Sequence, residues 1–198
     1  MAIIVDKVQK RKDIALACKE IVLESGIRNL TISKLAVAAG VGKGTIYEYF
    51  ENKEDIVFEI VNRMMQAYDE QKEIKLLQAS STKEKVEIFL SFFYKQENSE
   101  LIAIYKEFVS ISLSNPNQSM IEFQAKCSQN YFAWFTDIIQ NGVEKGELIP
   151  ESQALAKGLF SMGEGMFIMN ATLNDPALLK KDINQFIEAI FKLIEVKR

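Results

Sequence analysis

Apolar side chains recur every three or four residues along nearly the whole chain, and no stretch alternates apolar with polar residues long enough to require a strand. A chain with that single period must bury helix stripes against one another, so the expected class is all-α, with about nine helices. Ile14, Ala15, Cys18, Ile21 and Val22 form the first stripe over residues 11–25, and Gly26 stops it. Thr31 caps a second helix over 32–39, ended by Gly40, and a short third runs over 43–50. Asn52-Lys53-Glu54-Asp55 opens a long fourth helix reaching about residue 78, with its negative charges in the first turn.

Beyond Ser80-Ser81-Thr82 the stripes become greasier. Val86, Phe89, Leu90 and Phe93 mark a helix over 83–97, and Leu101, Ile102, Tyr105, Phe108 and Val109 mark the next. Pro116, Pro150 and Pro176 each follow a helix end, which places further helices over 117–145, 152–173 and 176–196. There is no internal repeat.

Composition narrows the function classes. Among 198 residues there is no His, which excludes Ser-His-Asp triads, histidine proton shuttles and Cys/His zinc sites. Without His, no ordinary side chain titrates near neutrality, so pH is not the expected signal. Cys18 and Cys127 are too isolated for a metal cluster or a disulfide framework, and no metal or cofactor is expected. The start, Met-Ala-Ile-Ile-Val-Asp-Lys, lacks the shape of a secretory signal, and the best candidate for a membrane span, 158–174, holds Glu164. A cytoplasmic protein without membrane contact is the expectation. A small all-helical enzyme using carboxylates or tyrosine is chemically permitted, but no paired acid/base constellation supports one, and the chain reads as a non-enzyme.

The net charge of −3 divides unevenly, +3 over the first fifty residues and −6 over the rest, and seventeen of the twenty aromatics lie in the second part. A mildly basic head on an acidic, aromatic body suggests nucleic-acid contact at one end and another task at the other. Within the head, Ala36, Gly40 and Ile46 have the spacing of two helices crossing steeply: a small residue at the contact, a glycine at the turn and a branched residue filling the angle. That is a helix-turn-helix, whose second helix enters a DNA major groove. Gly42-Lys43-Gly44-Thr45 superficially suggests a phosphate loop, but residue 37 is Val, Gly follows Lys43, and no strand precedes it.

The run from Leu30-Thr31-Ile32-Ser33-Lys34-Leu35-Ala36 through Lys43-Gly44-Thr45-Ile46-Tyr47-Glu48-Tyr49-Phe50-Glu51-Asn52-Lys53-Glu54 resembles the DNA-binding signature of the TetR family of bacterial transcriptional regulators. The resemblance covers roughly residues 10–60; the remainder agrees in length and helix count. It implies a three-helix head over 1–52 joined by a long helix to a ligand-binding and dimerisation bundle over 53–198. Bases would be read from Lys43, Gly44 and Thr45, and phosphates held by Thr31, Ser33, Lys34, Tyr47, Tyr49 and Lys53. Glu48 and Glu51 would temper affinity. The family's pocket would take a small inducer, here lined by Tyr68, Phe89, Phe93, Tyr105, Phe108, Tyr131, Trp134, Phe135, Glu164 and Met166.

Glu107, Glu122 and Glu164 lie within apolar stretches, so the expected effector is hydrophobic, and a carboxylate facing the pocket would favour a cationic or hydrogen-bonding one. The last two helices carry Leu159, Phe160, Ile183, Phe186, Ile187, Ile190, Phe191 and Ile194, more apolar surface than a monomer's outer layer needs, and Gly163 permits close approach. A two-fold dimer on these helices agrees with the family's dimers and with a pseudopalindromic operator. The expected function is therefore a dimeric, ligand-released repressor. The alternative is a helical ligand-binding or scaffold protein that does not bind an operator.

Overall fold

A computed structural model describes residues 6–114 and 117–197. Pro116 and the first five residues lie outside that range. Ten α-helical segments account for most of the described residues: α1 (Lys7–Ala17), α2 (Lys19–Ser25), α3 (Ile32–Ala38), α4 (Lys43–Tyr49), α5 (Lys53–Gln78), α6 (Thr82–Leu90), α7 (Ser99–Ser114), α8 (Gln118–Glu144), α9 (Ser152–Asn170) and α10 (Pro176–Ile194). The class is all-α as expected. The first expected helix begins earlier, where the Asp6 carboxylate accepts from the amides of Val8 and Gln9, and it breaks at Cys18 into α1 and α2. The helix expected over 83–97 stops at Leu90 and continues as two 3-10 turns.

Local chemistry explains the boundaries. The Asn52 side chain accepts from the Asp55 amide at 2.9 Å and starts α5. Ser81 accepts from the Glu84 amide and caps α6, while the Glu84 carboxylate accepts from the amide and hydroxyl of Ser80. Asp175 caps α10 ahead of Pro176 at its first position. Gly26, Gly40 and Gly146 follow helix ends with φ of 71°, 63° and 68°, where a side chain would be strained.

By packing, the chain forms two compact units: residues 1–67 with 100–123, and 68–99 with 124–198. In the first, Leu35, Ile46, Ile56 and Ile60 are fully buried. The ring of Phe58 lies 4.5 Å from Phe123 and 6.1 Å from Phe108. In the second, Leu179, Ile183, Ile187, Phe191 and Ile194 repeat along one face of α10, which packs on α6 and α9. Phe135 and Ile139 of α8 are fully buried in the same unit.

Candidate functional site: a helix-turn-helix head and an aromatic cage

In the first unit, Thr31 opens α3 by accepting from the Lys34 amide, and the amides of Gly40 and Val41 bond the carbonyls of Val37 and Ala36 to close the turn. Ala36 and Ile46 are both buried, α3 packs on α4, and Gly40 holds its positive φ at the turn, in keeping with the crossing read from their spacing. The opposite surface is open. Thr31, Ser33, Lys34, Lys43, Gly44 and Tyr47 are exposed, Tyr47 by 61%, and Thr45, Tyr49 and Lys53 are half-buried. Phe50 is sealed in the core.

Two cations in this head have defined tasks. Arg11 donates to the Tyr49 carbonyl, bonds Asp55 at 2.5 Å and Glu59 at 3.3 Å, and lies over the Phe50 ring at 4.3 Å. It therefore joins α1 to the end of α4 and the start of α5. Lys53 directs its ammonium at the carbonyls of Ile27, Arg28 and Leu30, at 3.4, 3.3 and 3.1 Å. A residue expected to hold phosphate thus also ties the turn before α3 to α5. Arg11 carried no sequence motif, because its partners lie 38 to 48 positions away.

Glu107, read as a carboxylate for a ligand, instead accepts from the Ile27 amide at 2.6 Å within the first unit, where a Cβ on Gly26 would stand 2.6 Å from its Oε1. Glu122 is exposed and accepts from Gln118 on its own helix. Neither is a pocket carboxylate. Tyr105 and Phe108 belong to the first unit, and the other eight expected lining residues belong to the second.

Within the second unit, four of those eight converge on one atom. The Lys72 ammonium lies 3.9 Å from the ring centre of Phe89, 4.4 Å from Trp134, 4.5 Å from Tyr131 and 4.9 Å from Tyr68. All four distances fall within cation–π range. Tyr68 comes from the preceding turn of α5, Phe89 from α6, and Tyr131 with Trp134 from successive turns of α8. Asp69 accepts a 2.7 Å hydrogen bond from the Tyr131 hydroxyl. Lys72 is 3% exposed. Burial pushes its ammonium down to about 7 while Asp69 pulls it upward, and burial raises both Tyr68 and Tyr131. A group titrating near neutrality exists after all, in a chain without His. Sequence reasoning passed over Lys72, although it interrupts the four-residue stripe Ile60, Met64, Tyr68, Leu76 of α5.

Phe135 and Phe160 pack against Phe89, and Phe93 stacks on Phe167 at 5.1 Å. Glu164 and Met166 are half-buried on α9. A shallow recess adjoins the cage, with room for about 10 Å³, lined by Tyr68, Gln71, Lys72, Lys75, Ile88, Ser91, Glu97 and Asn98.

Most residues expected to form the dimer surface serve the protomer itself. Leu159, Ile187, Phe191 and Ile194 are buried in the second unit, Phe160 joins the aromatic cluster, and a Cβ on Gly163 would stand 2.6 Å from Leu90. The inward face of α10 accounts for this, since residues four apart are covered by α6 and α9. Phe186 and Ile190 are half-buried, and Leu155, Ile168, Met169 and Leu193 are exposed apolar side chains on α9 and α10.

Residues 15–60 match the model of bacterial regulatory proteins of the tetR family. The head of the chain is thus similar to that of the TetR family. A fatty acid metabolism regulator protein of Bacillus subtilis (strain 168) is 29% identical over 135 residues, 67% of each chain. A TetR-family regulator from Cytophaga hutchinsonii has the same fold, with a TM-score of 0.81 at 17% identity over 98% of this chain and 99% of that one. The FadR regulator of Bacillus subtilis, in a complex with stearoyl-CoA, aligns with a TM-score of 0.66 at 23% identity over 88% and 96%. Residues 15–60 thus resemble the N-terminal part of these bacterial regulatory proteins, and the chain has the all-α fold of the solved ones, with an N-terminal helix-turn-helix and a helical C-terminal part. Among the described residues no helix is long and apolar enough to cross a membrane, and no group of acidic or sulfur side chains is arranged to hold a metal.

Proposed function

We propose that the chain is a cytoplasmic, homodimeric repressor that binds a pseudopalindromic operator and leaves it when a small hydrophobic molecule binds the C-terminal part. The supporting observation is the exposed start of α4: Lys43 and Gly44 stand clear and Thr45 is half-buried, on a helix whose other face is anchored by fully buried Ile46. In this reading Lys43 donates to guanine O6/N7 and Thr45 offers a hydroxyl or methyl. Thr31, Ser33, Lys34, Tyr47, Tyr49 and Lys53 fix register on phosphates.

Residues 1–52 form the reading head and 53–198 carry ligand and dimer contacts, the latter through the outer faces of α9 and α10. Effector and operator then weaken one another by one common factor, as linkage requires. Mobility shift with DNA flanking the chain's own gene tests the core of the proposal. A shift that competitor DNA cannot abolish supports it, and none at micromolar protein contradicts it.

For the effector, the aromatic lining favours a hydrophobic body, and Asp69 beside four rings favours a positive head group. A second reading, an acyl thioester, is favoured by the likeness to the Bacillus fatty acid regulator. Thermal-shift screening of lipophilic cations against acyl-CoA separates the two. Stabilisation by the anionic thioesters alone removes the cationic reading.

A further inference from the structure

The surroundings of Lys72 are better suited to a different cation. Three helices bring four ring faces to within 5 Å of one point, and Asp69, oriented by the Tyr131 hydroxyl, supplies the counter-charge. A lysine ammonium has three N–H donors, which ring faces satisfy poorly. A quaternary ammonium has no donors to satisfy, and rings plus a nearby carboxylate meet its needs. For filling space alone an apolar side chain would avoid the cost of burying a charge. Lys72 also has a way out, because it borders the partly open recess lined by Glu97, whose carboxylate already pairs with Lys75 at 2.9 Å, and its four-carbon stem is flexible.

We propose that the cage of Tyr68, Phe89, Tyr131 and Trp134 is a binding site for a small N-methylated organic cation, with Lys72 as the internal competitor that such a ligand displaces. This specifies the head group of the effector and rests on the reading of the second unit as the sensor. Because the cage is occupied in the free protein, apparent affinity is reduced by the fraction of time Lys72 spends inside.

Trp134 is the single tryptophan, so intrinsic fluorescence reports on the cage directly. The full-length protein, without DNA, is titrated with tetramethylammonium chloride against sodium chloride of equal ionic strength, and with tert-butanol as a neutral mimic. The expected result is a saturable change with tetramethylammonium but not tert-butanol, at least about tenfold tighter in Lys72→Ala and weaker in Asp69→Asn. If circular dichroism shows Lys72→Ala unfolded, Lys72→Gln, which keeps the stem and removes the charge, is read in its place. Equal affinity in the wild type and the folded Lys72 variant, or an equal response to tert-butanol, overturns the proposal. Operator binding is measured separately by fluorescence anisotropy. An occupied cage with undiminished operator affinity contradicts the effector reading alone, and normal operator binding with an unresponsive cage contradicts the cage alone.

Discussion

Lys72 and Arg11 show how differently two cations of one chain are held. Arg11 spreads its charge over two carboxylates, a carbonyl and a ring at the junction of three helices, the fork geometry that suits guanidinium. Arg11→Ala should lower stability by about 1–2 kcal/mol, read by urea denaturation, with Arg11→Lys recovering less than half. Lys72 is held by rings, and its ammonium titrates at about 7 in the folded protein against an ordinary 10.5. Above pH 7 the folded protein releases this proton while the unfolded chain keeps it, so the unfolded state binds more protons and stability rises with pH. Cys18, pushed up to about 11, and the two cage tyrosines act in the opposite sense only above their ordinary ranges, near pH 9 and beyond. Between about pH 7 and pH 8.5 the wild type should therefore gain stability relative to Lys72→Met. Parallel denaturation midpoints for the two proteins would refute this.

Helix boundaries were legible in the chain wherever a cap or a positive-φ glycine stands: Thr31, Gly40, Ser81, Gly146 and Asp175 end or begin elements where their chemistry predicts. The break at Cys18 was not, because residues 14–22 keep one apolar stripe and the interruption is a local change of backbone, not of pattern. Which face of a helix meets what was the harder question. An amphipathic α10 reads equally well as a dimer helix or as an inner wall, and the burial of Ile187, Phe191 and Ile194 assigns its most apolar face to the protomer's interior. Lys72 escaped for a related reason, since one sequence gives no sign that rings of α6 and α8 close over a charge on α5. The glycines of α9 divide in the same way. Gly163 lies against Leu90, which is itself buried, so Gly163→Ala should destabilise by about 1–3 kcal/mol. Gly158 has open space around its α-carbon, so Gly158→Ala should stabilise by about 0.5–1 kcal/mol through helix propensity. Thermal melting of the two variants should move in opposite directions, and shifts of the same sign would contradict the packing described for α9.

For the whole molecule, a net charge of −3 argues against nucleic-acid binding until it is divided, since affinity for DNA needs only a local basic surface. The head carries that surface with Glu48 and Glu51 among its lysines and tyrosines, so sequence discrimination should rest on a few contacts at the start of α4. If effector and operator are coupled, saturating effector should lower operator affinity, and operator should lower effector affinity by the same factor in titration calorimetry. Unequal factors would point to a second binding mode. The most direct test is fluorescence anisotropy of the full-length protein on duplex DNA flanking its own gene, compared with a scrambled duplex of equal composition at physiological salt. A DNA-reading regulator should prefer the flanking sequence by about 10³-fold or more, with the preference reduced in Lys43→Ala while weak binding to scrambled DNA persists. Equal affinity for the two duplexes, unchanged by Lys43→Ala, would contradict the account.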